Sequence, residues 1–417
     1  MKVLITNTTL LNTGDSAIVD ATIAILRRTF GSDLDVICYD AHADASCRYR
    51  PGAVLRPTVF DQVTEWAGSG LRRKGALLAV LLAGRLARAG VDPKRMPLPA
   101  ALRRTLAEYR AADIVISAGG TYLVPNYRLV PRIYDFLVTL AVGRPLVLFT
   151  QSLGPFPRGR DRWFLRYVLR RAHLIMVRDR RSRGHLAERG VRSRRIVVCP
   201  DAAFALAPRR LDAEPHRIEN PPRIAVSVRD WPFFDDSPAE LGMARYTNAV
   251  AGFVRHAVQT ESAHVTFISS CQGAPEYWTD DSRIAMTVIE RLPAAIRHNV
   301  TLDRKFRSPA ELIERLRGFD LVVATRMHVA ILALCAGVPV IPVAYEFKTR
   351  ELAAWLGLAD VLQDIERVSS DALVSAWRHL RDHAETLEPQ LWRHVAIARR
   401  AALASGRLVR AALQAST

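Results

Sequence analysis

The chain has 417 residues, 49% hydrophobic and 24% charged, a balance that excludes a disordered or fibrous protein and a length that exceeds one ordinary core. Its 59 Lys and Arg outnumber 41 Asp and Glu for a net charge of +18, but the arginines are spread along the chain. The charge alone therefore selects neither nucleic acid, nor an anionic membrane, nor an acidic substrate.

Cys38, Cys47, Cys199, Cys271 and Cys335 stand singly, which excludes a disulfide framework or a zinc-spaced cluster and fits a reducing compartment. The N-terminal segment lacks the long apolar run and cleavage site of a signal peptide, so the expected location is cytoplasmic.

The opening run KVLIT reads as a buried parallel strand, followed by a helical pattern from about Ser16 to Phe30 that Gly31 stops. Strand DVICY follows. Residues 41–104 form an insertion with a helix or two. Its most apolar segment, Gly75 to Val91, is interrupted by Arg85 and Arg88 and is too charged to span a bilayer. With Arg72, Arg73 and Lys74 it has the makings of a basic amphipathic helix on a membrane, although packing against the domain is the simpler reading.

Strand DIVISA then leads to Gly119 and Gly120, and strand PLVLFT to a loop at Gln151-Ser152-Leu153-Gly154-Pro155. A helix from Arg162 to Ala172, strand LIMVR, a helix from Ser182 to Arg189 and strand RIVVC complete the first alternation. The basic runs Arg180, Arg181, Arg183 and Arg192, Arg194, Arg195 read as solvated helix faces and turns. Between Ala207 and Pro222 the pattern lapses into a linker.

A second alternation starts with RIAVSVR. It continues through a helix at 244–260, HVTFISS, a helix at 284–292, NVTLD, a helix at 309–316, DLVVAT, a helix at 327–336, PVIPVAY and a helix at 349–356. Strongly helical sequence closes the chain. Such alternation predicts two doubly wound parallel-sheet (Rossmann-like) α/β domains facing a central cleft: residues 1–207, residues 222–371, and a C-terminal helical segment 372–417. Ligands of such sheets bind at the carboxyl ends of the strands.

The sharpest chemical signal is Arg326-x-His328, where a buried strand gives way to a helix. Free backbone N–H groups and the helix dipole there favour an anion, a guanidinium grips carboxylate or phosphate in two places, and an imidazole transfers protons near neutrality. Arg229 and Lys348 follow other strands of the same half, so three cations converge on a multiply charged donor. In the first half, Asn12-Thr13-Gly14-Asp15 opens a helix. Gly14 lets backbone approach a ligand, and Asp15 either caps the helix or acts on a hydroxyl. No dinucleotide or P-loop fingerprint and no metal-spaced cluster is present, so neither a cofactor nor a metal is expected.

Taken in order, these pieces resemble the polysaccharide pyruvyl transferase family. The resemblance is carried by Asn12-x-Gly14-Asp15, Gly119-Gly120, Gln151-Ser152-x-Gly154-Pro155, Arg178-Asp179-x-x-Ser182, Asp201 and Phe204, and Arg229. The block from Arg326-x-His328 through Gly337-x-Pro339 to Lys348 completes it. It spans about residues 1–360 and implies a fold similar to GT-B glycosyltransferases. It further implies transfer of pyruvate from phosphoenolpyruvate to a saccharide hydroxyl, commonly as a ketal, in cell-surface polysaccharide or glycolipid synthesis.

On that resemblance His328 is the acid for the enol carbon, and Arg326, Arg229 and Lys348 hold the donor. Asp15 orients or deprotonates the acceptor, and Asn12, Gly14, Gly119, Gly120 and Gln151 line the acceptor side. The insertion leaves the acceptor open, free or lipid-linked; the latter would suit a peripheral association with the inner face of a membrane. No nucleic-acid partner is expected. Two other readings stand beside this one: a nucleotide-sugar glycosyltransferase, with Glu346 as a ribose contact, and a non-catalytic saccharide-binding protein.

Overall fold

The computed structural model describes residues 1–124, 128–156, 160–191, 195–209 and 220–415. Arg192 and Arg194 of the second basic run, and residues 210–219 of the expected linker, lie outside them. Fourteen strands are present among the described residues, numbered here in chain order. The first eight are β1 (Lys2–Thr8), β2 (Asp35–Asp40), β3 (Val54–Pro57), β4 (Ile114–Ser117), β5 (Gly120–Leu123), β6 (Leu146–Leu153), β7 (Leu174–Val177) and β8 (Ile196–Val198). The other six are β9 (Arg223–Ser227), β10 (His264–Phe267), β11 (Val300–Leu302), β12 (Leu321–Ala324), β13 (Val340–Ala344) and β14 (Gln363–Asp364).

They form two parallel sheets. The first runs β3-β2-β1-β4-β6-β7-β8, with β5 paired to β6. The second runs β11-β10-β9-β12-β13-β14. Each begins at an inner strand, winds outward to one edge, then returns to build the other side, so the strand order reverses between β1 and β4 and between β9 and β12. That reversal is the switch point where open α/β sheets bind ligands. The strands are continuous apolar runs because helices cover both faces of a parallel sheet.

The chain divides into two compact units: residues 1–10, 18–202 and 401–417, and residues 11–17 and 203–400. Two of the boundaries cut through α-helices. The first turn of the helix Thr13–Phe30 belongs with the second unit, and the last part of the helix Ala384–Gln414 belongs with the first. There Gly406 lies so near Thr29 that a Cβ would come within 1.9 Å of its Oγ1.

In the first unit one core gathers Leu4, Tyr39 and Val115 from the sheet with Val63, Val80, Leu106 and Tyr134 from helices. A second gathers Leu148, Ile175, Phe136, Val168 and Leu186. The insertion is thus built into the domain. It contributes the edge strand β3, which the sequence reading missed, and the helices Ala43–Tyr49, Val59–Ala67 and Gly70–Arg88.

Gln151 to Leu153, expected as loop, instead continue β6, because Gly120 and Leu123 of β5 pair with Gln151 and Leu153. Among the helices, the one expected at 244–260 is longer, Ala239–Glu261, whereas those at 309–316 and 327–336 fall where expected, at Pro309–Leu316 and Met327–Ala336.

Candidate active site

The switch point of the second sheet is closed by short polar links. Thr325 N–H donates to the Ser227 carbonyl at 2.9 Å, and the Thr325 and Tyr246 hydroxyls share a hydrogen bond of 2.7 Å. Just beyond, the helix Met327–Ala336 starts with Arg326 at its N-cap. From Val329 to Cys335 this helix is buried all round, as its wholly apolar sequence requires. Arg326 and His328 are its polar entrance, and both are half-buried.

Arg326 is not a loose cation. Its Nε donates to Asp281 Oδ2 at 2.8 Å and its terminal nitrogen to Oδ1 at 2.6 Å, with the two side chains 13% and 1% exposed. Burial alone would push the guanidinium down, but the Asp281 carboxylate holds it well above the usual arginine range. Asp281 is itself fixed by the Ser269 hydroxyl and by its own N–H on the Cys271 carbonyl at 2.8 Å. A buried pair of this kind orients more than it stabilises, whereas removing one partner strands a charge at a cost of about 3–5 kcal/mol. The remaining N–H groups of the fork stay available for an anion. Sequence reasoning missed Asp281. Its only local signal, the Asp280-Asp281 pair before a helix, reads as capping, and Asp280 does accept from Ser282 N–H at 3.0 Å.

The opening turn of the helix Thr13–Phe30 is docked against the same region. Thr13 N–H donates to the Ser270 carbonyl at 2.9 Å and its hydroxyl to the Arg307 carbonyl at 2.7 Å. Asn12 closes the turn: its Oδ1 accepts from Gly14 N–H at 2.9 Å and its Nδ2 donates to Asp15 Oδ2 at 3.1 Å. Gly14 serves a purpose other than the expected approach to a ligand. A Cβ there would lie 2.7 Å from His328 Cβ and 3.0 Å from His328 Nδ1, so the backbone packs directly on the imidazole. Asn12, Gly14 and Asp15, expected on the N-terminal side, therefore group with Arg326 and His328.

The buried Cys271 thiol lies in the same neighbourhood. Burial pushes it up to about 12, and Arg326, Asp281, Asp15 and Arg229 all lie near enough to act on its charge.

Arg229 sits over Tyr345 at 4.0 Å and Trp231 at 5.0 Å, and the two rings pack with centroids 4.6 Å apart. Its Nε donates to the Asp230 carbonyl at 3.1 Å, and no carboxylate pairs with it among the described residues. Stacking holds a guanidinium without neutralising it. Lys348 lies 5.3 Å from the centre of the same Tyr345 ring, but its ammonium is 2.6 Å from Glu346 Oε2. Of the three expected donor cations, then, two face carboxylates and Arg229 carries unopposed charge. The Trp231–Tyr345 shelf was missed because neither aromatic is periodic with anything near it in sequence.

Gly119, Gly120 and Gln151 lie in the first unit: Gly119 and Gly120 follow the carboxyl end of β4, with Gly120 opening β5, and Gln151 lies in the last part of β6. A Cβ on Gly119 would fall 2.7 Å from Ile18 Cγ2 and 2.9 Å from the Phe149 carbonyl, so this glycine permits close chain packing. Gln151 is fully buried, donates to Tyr122 Oη at 2.7 Å and to the Ala118 carbonyl, and leaves its own Oε1 unpaired. The Arg178-Asp179-x-x-Ser182 block is structural. Arg178 pairs with Asp201 and donates to Thr121 Oγ1 at 2.7 Å and Ser152 Oγ at 3.2 Å. Asp179 accepts from Ser182 N–H at 2.6 Å and from the Ser152 and Ser182 hydroxyls, each at 2.9 Å.

Residues 12–346 match the family described as polysaccharide pyruvyl transferase. Amylovoran biosynthesis protein AmsJ of Erwinia amylovora is 25% identical over 405 residues, covering 95% of each chain. Among solved structures, a glycosyltransferase from Rickettsia africae superposes with a TM-score of 0.60 at 10% identity, covering 100% of this chain and 99% of its own. HepE of Anabaena, solved with UDP-glucose, gives a TM-score of 0.57 at 12% identity with full coverage of both chains. At such identities the likeness concerns the fold.

Proposed function

From the premise that this chain belongs to the polysaccharide pyruvyl transferase family, we propose that it transfers pyruvate from phosphoenolpyruvate to hydroxyls of a saccharide and closes a cyclic ketal. The observation that carries this reading is the convergence of Arg326, His328, Gly14, Asp15 and Arg229 at one switch point. The family and the AmsJ relative support polysaccharide biosynthesis as the setting; the donor and the ketal are the finer steps proposed here.

The donor carries a carboxylate and a phosphate. Arg229 supplies the unopposed charge for one, and the fork of Arg326, aimed by Asp281, supplies directed N–H groups for the other. Lys348 is the third donor contact once an anion competes with Glu346. His328 delivers its proton to the methylene carbon, which becomes the methyl group. The acceptor oxygen bonds to the neighbouring carbon, Asp15 takes the hydroxyl proton, and the C–O bond to phosphate then breaks. A second hydroxyl of the same sugar adds to that carbon, loses its proton to the departing phosphate or solvent, and closes the ring. Backbone packed on the imidazole through Gly14 keeps His328 in one orientation, which general acid catalysis needs.

The reading of a nucleotide-sugar glycosyltransferase rested on Glu346 as a ribose contact, and that carboxylate is engaged by Lys348. A saccharide-binding protein without catalysis has no use for the Arg326–Asp281 fork beside His328.

The test is the melting temperature with phosphoenolpyruvate and, separately, with nucleotide sugars. A ligand bound to the folded state raises it by mass action. Phosphoenolpyruvate should raise it for the wild type and not for Arg229→Gln, a half-buried residue whose loss strands no buried acid. A shift with nucleotide sugars alone would overturn the proposal. His328→Gln should keep the phosphoenolpyruvate shift and lose about 100-fold or more of transfer.

A further inference from the structure

We propose that the outward face of the helix Gly70–Arg88 docks the protein on an anionic phospholipid surface. The helix is apolar on two sides. One side, Ala76, Val80, Ala83, Gly84 and Ala87, is buried in the first core of its unit. The other side should be polar in a helix that merely covers a core. Instead it presents Leu71 at 83% exposure, Leu78 at 68%, Leu82 at 59% and Leu86 at 43%. At 100° per residue these four leucines fall within a sector of about 80°. Their spacing of four residues from Leu78 onward makes a continuous stripe two turns long. Trp66 just before the helix and Val91 just after it are also exposed.

Charge identifies the occupant. Arg72 lies on one flank of the stripe, Lys74 and Arg85 on the other, all exposed, and none of them pairs with a carboxylate among the described residues. From Gly68 to Val91 the sequence contains no Asp or Glu; the nearest are Glu65 and Asp92. Exposed leucines flanked by unpaired cations match a surface whose interior is apolar and whose headgroups are negative. No helix among the described residues is long and apolar enough to cross a membrane, so this one lies on the surface. The inner face of the helix anchors it to a folded domain, which spares the ordering cost that a free amphipathic peptide meets on binding.

The experiment is sedimentation of the full chain with phosphatidylglycerol–phosphatidylcholine vesicles and with pure phosphatidylcholine vesicles. The protein is expected in the pellet with the first, less so as salt rises, and in the supernatant with the second. Leu78→Ser/Leu82→Ser should abolish pelleting with an unchanged melting temperature. Arg72→Gln/Lys74→Gln should raise the lipid concentration for half-binding by roughly 30-fold. Absence of binding to the anionic vesicles, or undiminished binding of the leucine variant, would overturn the proposal. So would a dimer in sedimentation velocity that the leucine substitutions dissolve, since the stripe would then join two copies. No donor enters the assay, so its failure leaves the pyruvyl transfer reading untouched.

Discussion

The two sheets share a winding order, yet their carboxyl edges differ in chemistry. At the switch point of the first, Thr6, Asn7, Ser117, Thr150 and Gln151 are buried and uncharged, and Thr6 Oγ1, Asn7 Nδ2, Thr150 Oγ1 and Gln151 Oε1 have no partner among the described residues. Asn7 and Thr150 also hold positive φ angles of 62° and 47°, unusual for residues with a side chain. Its charged residues are engaged structurally: Arg178 with Asp201, Thr121 and Ser152, and Asp179 with Ser152 and Ser182. At the switch point of the second sheet, Asp281 is spent on Arg326, but Arg229 faces no carboxylate among the described residues and the Arg326 fork keeps N–H groups to spare. On the proposed reading, the uncharged edge would receive hydroxyls and the charged edge the anionic donor. The lesson is that a fold supplies the place for a ligand, while the charge left over after structural pairing decides its class.

The largest effects should come from breaking the two buried ion pairs. Arg178→Met, which strands Asp201, and Asp281→Ala, which strands Arg326, should each cost about 3–5 kcal/mol in denaturant unfolding. Asp281→Ala should also abolish the phosphoenolpyruvate shift. If Arg178→Met abolishes that shift while leaving the melting temperature unchanged, the division into structural and functional charges is wrong.

A comparable effect, conditional on pH, is expected at Asp135. Burial holds this carboxyl up at about 7 against 3.8 in the unfolded chain, outweighing the nearby Arg132 and the Val59 backbone, which pull it down. With a folded pKa above the unfolded one, stability falls as pH rises from about 4 to about 7 and is level above that. Asp135→Asn should therefore stabilise the protein by up to about 4 kcal/mol at pH 8 and hardly at all at pH 4. Equal melting shifts at both pH values would refute it.

A smaller change is expected from Gly14→Ala. The new methyl group meets His328 at 2.7 Å, an overpacking worth about 1–3 kcal/mol, and displaces the imidazole, so kcat should fall more than KM rises. The least is expected from Thr6→Val. This swap removes a fully buried hydroxyl without a partner, so the unfolding midpoint should stay or rise slightly. A loss above about 1 kcal/mol would mean that the hydroxyl is satisfied after all and that the neutral edge is not waiting for a ligand.

The sequence by itself determined what local rules govern. Continuous apolar runs alternating with periodic helices specified two parallel sheets. The helices Pro309–Leu316 and Met327–Ala336 fall where their caps and Gly337 end the pattern. Arg326 and His328 were legible because both sit within two residues of a strand-to-helix junction. The edge strands β3 and β14, four and two residues long, were not, since so few residues carry no period. Tertiary structure alone decided that Arg326 is held by Asp281, that Gly14 exists for His328, that Arg229 rests on Tyr345, and that the leucines of Gly70–Arg88 point outward. Each joins residues dozens to hundreds of positions apart, or asks which of two apolar faces meets the core. Helical and strand periods report only which residues share a side; what lies opposite that side is settled by long-range packing.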